Sequence, residues 1–160
     1  MRTVKKEEPD FRKYIDQATG LRCMIVPVPE MGHLCGYVQL PPGPLRRRLM
    51  RYKGIPTPTM NTLMRAMQPG YPRHGARYEG RRAYSQSQIK RMDVHGGVTF
   101  LDRFTWPGME GLWIGFDCGH LGDASPGMEK IGISQHGVYR DHTFVEHELA
   151  KLAKQVARLL

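Results

Sequence analysis

Cysteine is scarce: the 160 residues contain only three, and Cys23, Cys35 and Cys118 form no CxxC pair. An odd number without paired spacing fits neither a disulfide framework nor a zinc ribbon, so the thiols read as reduced side chains packed in the interior. Long hydrophobic runs are lacking too. No apolar stretch approaches the ~20 residues that cross a bilayer as a helix, which excludes such a span. The opening residues, MRTVKKEEPDFRKYIDQATG, lack the apolar stretch and small-residue cleavage site of a secretory signal, and a cytoplasmic chain is expected.

Catalytic signatures are equally absent. The sequence holds no GxSxG elbow, Walker A loop, dinucleotide GxGxxG or HExxH. The familiar enzyme classes are therefore unsupported, and enzymatic status, cofactor and metal stay open at this level. Acidic residues are missing from one region in particular: residues 41–92 hold twelve of the 24 Lys and Arg and a single acid, Glu79, in a chain of net charge +9.

The length fits one domain spanning 1–160, large enough to bury roughly two-thirds of its unfolded surface without covalent staples. LRCMIVPV (21–28) and HLCGYVQL (33–40) are β-type runs around the turn-like PEMG, with Pro27 and Pro29 holding the end of the first to an edge or bulge. VHGGVTFLDRF and GLWIGFDCGH have the aromatic and β-branched content of a second strand pair. Val145, Leu149, Leu152, Val156 and Leu159 repeat at helical spacing, which predicts a C-terminal helix over 143–159 with Thr143 and Glu146 as a capping box and Asp141 adding favourable charge. The expected fold is α+β, a mainly antiparallel sheet of four or five strands packed by that helix. Residues 41–92 read as a basic, Pro/Gly/Arg-rich insertion with strand alternation gone. Within it Thr57, Pro58 and Gly70 bracket one short Met-rich helix.

The chemistry-bearing residues cluster in the second half. Asp117, His120 and Asp123 follow the apolar run LWIGF, so their polar groups emerge where a strand leaves the core. Asp and His can orient each other for proton transfer, hold polar ligand groups or ligate a metal. His95, Gly96, Gly97 and Thr99 offer an imidazole, two unobstructed backbone positions and a hydroxyl on an expected neighbouring strand. His33, at the start of the second strand, is a further candidate, and Arg140 precedes the last helix, where its guanidinium suits phosphate or carboxylate. The alternative for these residues is structural: aspartates capping turns, His120 satisfying a buried carbonyl, His33 exposed at a strand end. Arg46, Arg47, Arg48, Arg51, Arg81 and Arg82, interleaved with tyrosines, suit nucleic-acid or acidic-protein contact, and equally a solvated loop.

The pieces MGHLCGYVQLPPG, VHGGVTF, LWIGFDCGHLGD and YRDHTFVEHELAKLAKQV resemble a family of phage and prophage proteins over about residues 20–45 and 93–160. The resemblance implies a phage-type accessory protein and no particular activity. Family members have a shorter middle and a histidine soon after PPG, where this chain continues Pro44-Leu45-Arg46. Three functions follow as expectations. One is a His/Asp/Gly pocket for an anionic small molecule such as a nucleotide, in the phage setting a host nucleotide or a defence signal. The second is a nucleic-acid-binding or host-protein-inhibiting module acting through the arginines. The third is a virion or assembly component, with oligomers possible.

Overall fold

The structure, a computed structural model, describes residues 11–51, 91–104, 108–133 and 136–160. Five strands, β1 (Arg12–Ile15), β2 (Arg22–Pro27), β3 (Leu34–Leu40), β4 (Phe100–Arg103) and β5 (Leu112–Asp117), form one antiparallel sheet in the order β1-β2-β3-β5-β4. The helices are α1 (Pro44–Arg51), α2 (Pro126–Lys130) and α3 (His142–Ala157). The α+β architecture expected from the sequence is present, with both strand pairs antiparallel: Cys23 lies opposite Val38, and Leu101 opposite Ile114.

Alternation along the strands splits the apolar residues between two faces. Ile25, Val38, Leu40, Ile114 and Phe116 join Val145, Leu149, Leu152 and Val156 of α3 in one core. Helix α3 rests mainly on β3, and Gly36 lets it come close: a Cβ there would stand 2.7 Å from Phe116 Cε1 and 3.0 Å from Leu149 Cδ2. Complete burial of a side chain such as Leu149 stabilises the fold by about 1.5–3 kcal/mol. Met24, Val26, Tyr37, Phe100, Phe104 and Trp113 belong to a second buried cluster. There the Tyr37 and Phe100 rings meet edge to face at 5.1 Å, and Trp113 Nε1 donates to the Met109 carbonyl at 3.0 Å.

Four local expectations are corrected. The insertion does not start as a loop: α1 begins at Pro44 because Leu45 and Leu49, one turn apart, bury themselves in the first core while Arg47 and Arg48 face solvent. His95, Gly96 and Gly97 lie in a turn before β4 rather than on a strand, since φ of +67° at Gly96 and +78° at Gly97 breaks the extended backbone. The capping box is not used: α3 starts at His142, so Asp141 is the N-cap and accepts from the Phe144 amide at 2.9 Å, and Glu146 pairs with Arg12 of β1. The strand β1 was not expected, being short and largely exposed. The Met-rich helix lies outside the described residues.

Candidate functional site

The end of β5, the turn before β4, the loop leading to α2 and the approach to α3 meet at one end of the sheet. Asp117 closes β5 opposite Cys35 and is buried. Its Oδ1 accepts from Thr99 Oγ1 at 2.9 Å and its Oδ2 from the Gly119 amide at 3.1 Å. His120 Nε2 lies 3.3 Å from Oδ1, close enough for an ion pair though off the line of an ideal hydrogen bond. That nitrogen is buried. The carboxylate raises the His120 pKa above its ordinary value through this side-chain contact and its charge, against the opposing effect of burial.

Asp123 organises the other half. His95 Nε2 stands 2.7 Å from its Oδ2, which also accepts from the His120 amide at 3.1 Å, while Arg140 Nε donates to Oδ1 at 2.9 Å. Burial works against ionising this carboxyl, but those donors outweigh it and hold its pKa below the ordinary value. A parallel bridge between Asp123 and Val138 ties the loop to the strip that delivers Arg140. The His95 and His120 rings are 5.8 Å apart between centroids. Gly96 makes that approach possible, because a Cβ on it would fall 2.1 Å from His120 Nε2.

Helix α3 holds the His95 turn from below. Glu148 Oε2 accepts from the His95 amide at 2.9 Å and pairs with Lys151. Gln155 makes a reciprocal pair with the Asp93 backbone, accepting from its N–H at 2.7 Å and donating to its carbonyl at 2.8 Å. Phe144 lies edge-on to His95 at 5.1 Å and beneath the Arg140 guanidinium at 4.6 Å. Glu148 and Phe144 were missed in the sequence. Glu148 did leave a signal, an acid inside the stripe between Val145 and Leu149.

Thus His95, Gly96, Thr99, Asp117, His120, Asp123 and Arg140 converge, with Gly97 shaping the turn. His33 is set apart: it is 1% exposed rather than open at a strand end, and its Nδ1 lies 3.0 Å from Ser125 Oγ. Burial raises the Cys118 thiol well above the ordinary thiol range, so it stays protonated near neutrality. Among the described residues no group of three or more His, Cys, Asp or Glu is arranged to hold a metal ion. An open cavity of about 450 Å³ lies at the opposite end of the sheet, where Arg46 lines it with Arg22, Gln39 and Glu110. Arg47 and Arg48 are exposed on α1; the Arg51 side chain, Arg81 and Arg82 lie outside the described residues.

Chemically, the arrangement offers two imidazoles, each anchored on a buried carboxylate. The other nitrogen of each ring, Nδ1, makes no hydrogen bond among the described residues, and the His95 and His120 side chains are 20% and 31% exposed. Arg140 uses one of its five donors on Asp123 and is partly exposed. No family model matches the chain, and neither a curated protein nor a solved structure is significantly similar to it. No helix among the described residues is long and apolar enough to cross a membrane.

Proposed function

We propose that the chain binds a small anionic molecule, a nucleotide being the natural class, on the face formed by His95, His120 and Arg140. Its setting would be that of a phage-type accessory protein in the host cytoplasm. The observation that carries this reading is the paired His–Asp arrangement beside Arg140. Asp123 holds the His95 ring by Nε2, Asp117 lies 3.3 Å from His120 Nε2, and the guanidinium keeps most of its fork for a phosphate or carboxylate. Leu121, fully exposed, and Val138, more than half exposed, sit in the same loop region and give the uncharged part of such a ligand an apolar surface.

Native mass spectrometry of protein purified from cells, before and after denaturation, tests the reading. A stoichiometric anionic small molecule should leave on denaturation and be missing from His120→Ala protein whose melting temperature stays within a few degrees. Co-purified polynucleotide that depends on Arg46, Arg47 and Arg48 would point instead to the basic segment, a reading favoured by the exposure of Arg47 and Arg48 on α1.

A further inference from the structure

We propose that the cavity at the other end of the sheet binds a phosphomonoester of a small hydroxylated molecule, a sugar phosphate being the class, with Arg22 and Arg46 on its phosphate. This second site shares no residue with the histidine face and does not rest on the reading given for that face. The cavity, of about 450 Å³, falls within the ~300–1,000 Å³ of small-molecule sites. Four parts of the chain line it. Arg22 opens β2, Gln39 stands near the end of β3 with Pro41 and Pro42 just beyond, Arg46 lies in the first turn of α1, and Glu110 and Gly111 lead into β5.

The charges of the cavity select the ligand. Both guanidiniums are permanently charged, and neither makes an ion pair or hydrogen bond among the described residues. Arg46 is half-buried, so its charge has lost part of its water without gaining a counter-ion, a cost that a bound anion offsets. The acid beside them, Glu110, is already engaged: its Oε1 accepts from the Gly108 amide at 3.0 Å. Its own amide and that of Gly108 hold this carboxyl below the ordinary value, with Lys13 and Arg22 adding smaller effects. A carboxylate or a phosphodiester has a single charge and two free oxygens, which one arginine fork satisfies. A phosphomonoester approaches a double charge near neutrality and presents three free oxygens, and so matches two arginines. Gln39 supplies the hydroxyl partner, since its Nε2 donates to the Glu110 carbonyl and its Oε1 takes no hydrogen bond among the described residues. Gln39 and Arg46 pack together over the bare backbone of Gly111. With φ of +103° that position favours glycine, and a Cβ there would stand 2.9 Å from Gln39 Nε2 and 3.5 Å from Arg46 Nη1. Pro41 and Pro42, which lack N–H groups, give the C–H face of the sugar an apolar wall.

The probe is ribose 5-phosphate, added to the full chain while the amide NMR signals of Gly20 and Gly111, both at the cavity, are followed. Saturable shifts at both are expected, with ribose itself producing none. Arg22→Ala and Arg46→Ala should each weaken binding about 10- to 100-fold, the worth of a charge-assisted hydrogen bond. Arg140→Ala should leave it within about twofold, because distant sites act independently. Arg22 is exposed at the start of its strand, so its variant carries the test should Arg46→Ala not fold. No saturable shift at Gly20 and Gly111, or shifts that survive both arginine variants, would overturn the site. Equal affinity for inorganic phosphate would overturn the hydroxyl contact through Gln39. Tighter binding of a single-stranded oligonucleotide at the same signals would overturn the small-molecule ligand and join the cavity to the basic face of α1.

Discussion

Asp123 is the residue on which the site depends, since one buried carboxylate holds an imidazole, a guanidinium and a backbone amide. Asp123→Asn keeps the shape but loses the charge, and we expect Arg140 and the His95 turn to loosen together, seen as rising amide hydrogen exchange from His95 to Gly97. The two aspartates give opposite pH behaviour. The His120 pKa is raised by Asp117, so their contact stabilises the fold fully below about pH 6.5, the ordinary histidine value, and is lost as pH rises through the raised folded value. Asp117→Asn should return the His120 titration toward the ordinary value in an imidazole NMR experiment; an unchanged midpoint would contradict the pairing. The Asp123 pKa is depressed, so its contribution is present above the ordinary aspartate value and disappears as pH falls through the lower folded one. Gly96→Ala places a methyl on the His120 ring at a left-handed backbone position and should displace that ring. The residue types of the site were legible because polar groups follow an apolar run at Phe116. The pairing was not, because which Asp meets which His depends on turns whose φ values no spacing reveals.

At the scale of elements, α3 both closes the core and supports the site. Leu149→Ala opens the centre of its buried stripe and should cost about 2–5 kcal/mol, measurable by chemical denaturation. Asp141→Ala removes the cap on the Phe144 amide and should cost about 0.5–2 kcal/mol. Loss of Asp141 frays the turn that carries Phe144, so Arg140 should become more mobile as well. This helix was readable because Val145, Leu149, Leu152 and Val156 repeat along one face. Helix α1 was hidden by composition, since its two buried leucines flank three arginines in a run that reads as a solvated loop. The strand β1 was hidden because RKYI is mostly exposed and its pairing with β2 is supplied by the sheet.

For the molecule as a whole, the sheet separates two kinds of surface. The histidine site occupies one end, and the opposite end carries Arg22 and Arg46 around an open cavity. If the arginines of α1 contact nucleic acid, binding should fall steeply with salt, and neutralising Arg46, Arg47 and Arg48 together should lower the slope of log K against log salt by about one unit per lost phosphate contact. The histidine site should be indifferent to that triple substitution, because its residues come from the turn before β4, the end of β5 and the approach to α3, at the other end of the sheet. The central claim is that a small anion binds between His95, His120 and Arg140. It is tested most directly by following the histidine imidazole resonances while a mononucleotide is added. Saturable shifts at His95 and His120, abolished by Arg140→Ala in a folded protein, are the expected result. Shifts absent from His95 and His120, or confined to other histidines, would contradict it.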